Sequence, residues 1–326
     1  MRVAALVPGA VLRARSVTTA PGGKPVNVAR AARALGGQPT LLANCPGADG
    51  ARLLEQLTAT GLAVVAVRTS GALRTATIVL EDDGRTTVVN EPGPALDDAG
   101  RVALLDAYAA ALADERPVVV VASGSLPPAA PADLYAEVVR MASERGADTV
   151  VDAGGTVLAA ALQAAPALVS PNLAEAEAVL RALAGTSAPA GSWPAGGADP
   201  VEKVDDTGHD VAARCAAAAE GLVAAGARAA LVSGGRAGAA LHTGDGSWWF
   251  TAPRVTVVNP VGAGDALVAG VAVALARGES LPAAVRFGVA SAADSVRRPG
   301  PADVEPSAVT ALLPAVHGTT AAGTRA

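Results

Sequence analysis

The sequence predicts an α/β fold, a doubly wound and mostly parallel sheet flanked by helices, with a small β lid. Three observations carry that expectation. From about residue 26 onward, short apolar runs alternate with helical stretches, the rhythm of β-α units. One run, Val118 to Ala122, is continuously apolar, as a strand covered on both faces requires. Finally, Asp82-Asp-Gly-Arg85 separates two arms of period-two alternation, which is the chemistry of a hairpin. A chain of 326 residues with 51% hydrophobic content can bury one large core. A single domain over residues 1–326 is therefore expected.

Each element has its own local reason. Val26 to Leu35 keeps apolar residues on one helical face and Arg30 and Arg33 on the other, and Gly36-Gly37 ends it. Gln38 to Asn44 reads as a strand, Ala51 to Thr60 as a helix closed by Gly61, and Ala63 to Arg68 as the next strand. Thr75 to Leu80 and Thr86 to Asn90 form the hairpin. A strand-like Val11 to Thr19 precedes it in the chain. Asp148 to Asp152, Ala167 to Ser170 and Ala229 to Ser233 are further strands, each running into a polar or glycine turn. In such a sheet, ligands sit beyond the carboxyl ends of the strands. Residues 184–210 lack an apolar period and read as a loop insertion, and the small, polar tail after about Val316 is expected to fray.

Composition excludes several function classes. Aromatic residues make up only 2% of the chain and the net charge is −5, with no dense Lys/Arg stripe. Neither nucleic acid nor an anionic membrane surface is an expected partner. No run reaches the eighteen or so apolar residues of a membrane span. Cys45 and Cys215 stand far apart in no metal-ligand spacing and read as small buried hydrophobes of a reducing compartment, so a cytoplasmic enzyme is expected. Any anionic ligand must then be held by a local constellation. Lys24 and Lys203 are the only lysines in the sequence.

The richest stretch is Asn259-Pro-Val-Gly-Ala-Gly-Asp265-Ala-Leu-Val-Ala-Gly270. Gly262, Ala263 and Gly264 open a helix, so their backbone N–H groups and the helix dipole form a nest for an anion. A carboxylate at Asp265 would repel a phosphate bound there unless its task is to take the proton of an attacking hydroxyl. That is the chemistry of a kinase acting on an alcohol. Elsewhere the bland readings compete: a lysine at a helix start is usually a solvated charge, and Asn172 with Glu175 is also the pattern of an N-cap and a first-turn acid.

Five motifs follow one another along the chain: Gly22-Gly-Lys-Pro-Val-Asn27, Ser123-Gly-Ser-Leu-Pro-Pro128, Pro171-Asn-Leu-Ala-Glu175, Ser233-Gly-Gly-Arg-Ala-Gly238 and the Gly262 to Asp265 nest. In this order they resemble the ribokinase-like (PfkB-type) carbohydrate kinases, in particular the branch of 1-phosphofructokinases and tagatose-6-phosphate kinases. The resemblance implies ATP and Mg²⁺ as cofactors and a phosphosugar as substrate, with Asp265 as general base. It implies that Gly22, Gly23, Asn27 and Gly124 line the sugar pocket, that Lys24 and Arg74 meet the phosphate already on the sugar, and that Asn90 faces substrate from the lid. Asn172 and Glu175 would organise water around Mg²⁺. Ser233, Gly235 and Gly238 would approach the nucleotide, and Ser291 the adenine. The hairpin with the strand-like Val11 to Thr19, about residues 10–20 and 72–91, resembles the family's small β lid over the sugar, and a homodimer through that lid is a further expectation.

The sequence also departs from that pattern. The family opens with a strand and an Asn-Pro-Ala-x-Asp-like turn, whereas this chain starts at the lid: either the start is set roughly fifteen to twenty residues late, about one strand and its turn, or the first strand and a substrate Asp are missing. Pro25 replaces a glycine, Ser170 a lysine, and Asn259-Pro260 an Asp-Thr pair. Two other readings stay open: a catalytically impaired sensor of sugar phosphates or nucleotides, and a kinase for an unphosphorylated sugar or a nucleoside.

Overall fold

The computed structural model describes residues 14–81, 86–115, 118–185 and 211–320. The expectation of a missing first strand, the hairpin turn at Asp82 to Arg85, and residues 186–210 of the insertion lie outside that range.

The described chain opens with α1 (Lys24–Ala34), capped by Gly23 and carrying Pro25 in its first turn. A proline there removes a backbone donor that the helix would leave unpaired in any case. A parallel pair follows, β1 (Thr40–Asn44) and β2 (Ala63–Val67), connected by α2 (Gly47–Ala59). Next comes the hairpin of β3 (Ala76–Leu80) and β4 (Thr86–Asn90), a two-stranded antiparallel sheet with Ile78 opposite Val88. Residues 14–19, expected as a lid strand, form no strand. Their side chains are mostly exposed, and no burial fixes a β register there.

After α3 (Asp98–Glu115) the chain builds four parallel strands: β5 (Val119–Ser123), β6 (Asp148–Asp152), β7 (Leu168–Val169) and β8 (Ala229–Ser233). Their crossovers run through α4 (Leu134–Glu144), α5 (Gly155–Leu162) and the pair α6 (Leu173–Leu183) and α7 (Val211–Ala224). Beyond β8 the sheet turns antiparallel through β9 (Gly238–Thr243) and β10 (Gly246–Thr251), which the sequence pattern did not reveal. The last helices are α8 (Ala263–Ala276), α9 (Leu281–Ser295) and α10 (Pro306–Leu312), and the described chain ends in β11 (His317–Thr320).

The fraying expected after Val316 is therefore wrong for residues 317–320. β11 pairs antiparallel with β10, placing the buried Gly318 opposite Phe250. Ladder hydrogen bonds come from the backbone, so a segment without large apolar side chains can still close a sheet edge. The seven-stranded sheet thus runs β11-β10-β9-β8-β7-β6-β5.

The inner strands send alternate residues to two cores. Val150, Leu168, Leu231 and Leu241 join α1, α8 and α9 on one face. Their neighbours Val151, Val169, Val232 and Ala240 join α4 to α7 on the other. A third, smaller core under β1 contains Val26 and Ala29 of α1 with Leu41, Ala43 and Leu57. Helix α1 belongs to both the first and the third core, which fixes its N-terminus at the carboxyl edge of the parallel strands. There is no helix among the described residues long and apolar enough to cross a membrane.

Candidate active site

Helix α8 is apolar around its whole circumference and buried from Asp265 to Ala274. It begins at Gly262, whose φ of 86° lies in the left-handed region that glycine adopts without strain. Space is a second requirement there, because a Cβ on Gly262 would lie 2.5 Å from the Ala302 amide nitrogen. The loop against Gly262 is itself anchored. Asn259, 2% exposed, donates from Nδ2 to the Pro299 carbonyl at 2.9 Å and accepts from the Val261 amide at 3.0 Å. The buried Asp294 accepts from Arg298 and from the Glu305 amide. The Ala263 amide turns to the Pro260 carbonyl at 3.3 Å. An anion would then rely chiefly on the amides of Gly262 and Gly264.

Asp265 occupies the first turn of α8 and is 5% exposed. Its Oδ2 accepts a 2.8 Å hydrogen bond from Asn27 Nδ2, which joins α8 to the first turn of α1. Burial raises the Asp265 pKa to about 6, Asn27 and Lys24 oppose the rise, and the nearby Asp152 charge adds to it. A carboxylate tuned to that range is ionised at neutral pH and still basic enough to accept a proton.

Lys24, one turn before Asn27, lies under a different part of the site. Its Nζ is 3.2 Å from Asp152 Oδ1 and 4.0 Å from Glu175 Oε1. Asp152 ends β6 and is 5% exposed, and its Oδ2 accepts from Ser123 Oγ at 3.0 Å. Glu175 is 9% exposed and forms a reciprocal capping box with Asn172: each backbone amide donates to the other's side chain at 2.9 Å. The capping pattern is thus present, with the other Glu175 oxygen left facing Lys24. Gly124 follows β5 with φ 95°, and its Cβ position lies only 3.5 Å from Lys24 Cβ, so the lysine stem crosses directly over it. Tyr135 OH donates to the carbonyls of Ser123 and Gly124, and burial pushes its pKa well above the usual phenol range.

Among the described residues, no group of three or more His, Cys, Asp or Glu is arranged to hold a metal ion. Asp152 and Glu175 are two hard oxygen ligands side by side. Such a pair suits a cation that keeps several waters and completes its shell with phosphate oxygens, which is the habit of Mg²⁺.

The model of the pfkB family of carbohydrate kinases matches residues 1–308. The chain belongs to this family. A 1-phosphofructokinase of Xanthomonas campestris pv. campestris is 35% identical to this kinase over 278 residues, covering 83% of this chain and 78% of that protein. An ATP-dependent 6-phosphofructokinase isozyme 2 of Mycobacterium tuberculosis is 32% identical over 285 residues, covering 86% of this chain and 76% of that protein. Among solved structures, phosphofructokinase-2 from Escherichia coli in complex with fructose-6-phosphate superposes with a TM-score of 0.77 at 26% identity, covering 96% of this chain and 93% of that one.

Within the kinase, the tertiary structure gathers Lys24, Asn27, Gly124, Asn172, Glu175 and Asp265 around the carboxyl ends of β5 and β6. Gly22 and Gly23 lead directly into that cluster at the start of α1. Arg74 and Asn90 lie elsewhere, at the foot of the β3–β4 hairpin. Arg74 is exposed beside Gly93 and lines a cleft of about 540 Å³ between residues 70–74 and 91–95, a cleft that none of Lys24, Asp152 and Asp265 reaches. Asn90 is exposed at the end of β4 opposite Ala76.

Packing fixes two further residues. Ser291 has no exposed surface; its hydroxyl donates to the Phe287 carbonyl and packs against Gly270 where α8 crosses α9. Gly238 is explained by packing, since a Cβ there would meet the Phe250 carbonyl oxygen at 2.0 Å. Ser233 bridges to Asn172, and open space surrounds a Cβ on Gly235.

Asp152 was missed altogether, although the signal was present. It is the polar last residue of an apolar parallel strand, the position where the switch-point rule places ligand contacts. Ser123 and Asp152 stand opposite each other at the ends of β5 and β6 for the same reason.

Proposed function

We propose that this kinase transfers the γ-phosphoryl group of ATP to a hydroxyl of a ketohexose phosphate, producing a bisphosphate and ADP. The observation that carries this reading is the buried Asp265, held by Asn27 immediately behind the Gly262 turn and tuned by burial to a pKa of about 6. In the reaction the sugar hydroxyl oxygen bonds to the γ-phosphorus, the bond from that phosphorus to the ADP oxygen breaks, and the hydroxyl proton passes to Asp265.

The remaining residues are assigned by their placement. The amides of Gly262 and Gly264, at the positive end of α8, face the charge that develops on the transferred group. Asn27 holds the carboxylate in position and Gly124 lets the sugar approach the backbone. Lys24 and Arg74 are the cations proposed for the phosphate the sugar already carries. Arg74 would reach it when the lid closes and excludes water. Asn172, Ser233 and Gly235 border the nucleotide side. Asp152 and Glu175 would hold Mg²⁺, which when bound screens the charge of the nucleotide phosphates. A homodimer through the lid belongs to the same proposal; it is supported by a hairpin that pairs with no other strand among the described residues and by Val89, 58% exposed on it.

The test is a coupled ADP-release assay with fructose 1-phosphate, tagatose 6-phosphate and fructose 6-phosphate. Turnover of at least one of them, dependent on Mg²⁺ and abolished in Asp265→Asn, is expected. ADP release with none of the three, in a preparation that binds one of them tightly, would favour a sensor instead.

A further inference from the structure

The proposed reaction does not explain why Lys24 points at two carboxylates. Lys24 is expected to meet a phosphate, yet its ammonium rests 3.2 Å from Asp152 Oδ1 and 4.0 Å from Glu175 Oε1. Each carboxylate commits its second oxygen to the fold, Asp152 to Ser123 Oγ and Glu175 to the Asn172 amide. The remaining oxygens face one point, and Lys24 is there. Two largely buried carboxylates side by side repel each other strongly unless a cation lies between them.

We propose that Lys24 is an exchangeable counter-ion: its ammonium neutralises Asp152 and Glu175 in the empty site, and the divalent cation that arrives with the nucleotide displaces it toward the phosphosugar. This rests on the kinase reading above. Geometry supports an exchange over a permanent ion pair. The Lys24 stem lies over Gly124, which has no side chain of its own to hinder it, and the lysine remains about one-third exposed while both carboxylates are buried. A lysine head is a point charge on a flexible stem, so it can leave one anion for another without rebuilding a bidentate contact.

The exchange has a thermodynamic consequence. If the metal frees a cation for the sugar phosphate, each ligand strengthens the other by the same factor. Metal–nucleotide and phosphosugar binding then become cooperative through one side chain. A divalent cation alone would bind weakly, because it must first compete with the tethered ammonium.

The scarcity of lysine makes the exchange visible. Reductive methylation with ¹³C-formaldehyde labels Lys24, Lys203 and the terminal amine while keeping their charge, and the Lys24→Arg variant identifies the Lys24 resonance. Calorimetry on the same labelled wild-type chain reports whether Mg²⁺ with ADP binds. The expected result is a Lys24 resonance that moves in step with saturation by Mg²⁺ plus ADP and stays in place with ADP alone. Calorimetric binding with an unmoved Lys24 resonance overturns the exchange and leaves the kinase reading intact. Absence of binding overturns both. As a second measurement, Lys24→Met should bind Mn²⁺, followed by electron paramagnetic resonance without nucleotide, about tenfold more tightly than the wild type. Adding Asp152→Asn should remove that gain. Equal Mn²⁺ affinity in the wild type and Lys24→Met, or a gain that survives Asp152→Asn, contradicts the proposal.

Discussion

Asn27 Nδ2 donates to Asp265 Oδ2 at 2.8 Å, although 238 positions separate the two residues in sequence. That bond joins the first turn of α1 to the first turn of α8 and sets the orientation of the proposed base. It also favours the ionised carboxylate against the desolvation that pushes the other way. Replacing Asn27 by Ala should therefore move the acidic limb of the kcat/KM profile upward in pH. A pH profile of the variant with an unchanged limb would mean that the bond does not govern proton transfer.

Asp265→Asn keeps an oxygen that can accept from Asn27 and loses the basic site. Its kcat should fall by roughly 10² to 10⁴, with KM for the phosphosugar little altered. Steady-state ADP release against sugar concentration separates the two effects.

The same substitution should stabilise the fold at neutral pH. The carboxyl pKa rises from 3.8 to about 6 on folding, so the wild type loses stability as pH rises through about 6 and loses none below the unfolded value. A shift of about two units corresponds to roughly 3 kcal/mol, as an upper bound. Denaturant unfolding should show Asp265→Asn ahead of wild type at pH 7.5, and the gap should close toward the acidic end. A constant gap across pH would show that the gain comes from packing.

The two glycines of the α8 turn should respond differently. In Gly262→Ala the new Cβ would sit 2.5 Å from the Ala302 nitrogen at a φ of 86°, so the loop from Val296 to Glu305 must shift. Lower stability, by about 1 to 3 kcal/mol, and a weaker response to ATP are expected. No heavy atom lies within 4 Å of a Cβ on Gly264, so Gly264→Ala should fold normally and alter nucleotide affinity alone. Thermal melts and KM for ATP on both variants check the contrast.

Cys45 and Cys215 are both free and buried, and burial raises both thiol pKa values, that of Cys215 to about 12. Neither should react with a disulfide reagent in the native state at pH 7.5, and both should react within the dead time in denaturant. Prompt labelling of the folded kinase would indicate a local opening near β1 or α7.

Much of this architecture was readable in advance because its signals are local. Apolar periodicity announced α1, the parallel strands and the hairpin, and β6 and β8 begin and end where the pattern placed them. Gly262 to Asp265 was legible for the same reason: a turn, a helix start and an acid are adjacent in the chain. Elements whose reason lies in a partner strand escaped. β9, β10 and β11 depend on one another for hydrogen bonds, so His317 to Thr320 looked like a tail until Trp248 to Thr251 stood opposite it.

The site divides in the same way. Sequence alone determined the residue types and the order of the motifs, which sufficed to place a glycine turn and an acid together at a helix start. Only the tertiary structure decided which charges meet. It placed Lys24 on Asp152 and Glu175, joined Asn27 to Asp265, buried Ser291 between two helices and left Arg74 at the foot of the β3–β4 hairpin. The physical reason is that electrostatic interaction depends on distance through the folded interior and on burial, and neither quantity is a property of neighbouring letters.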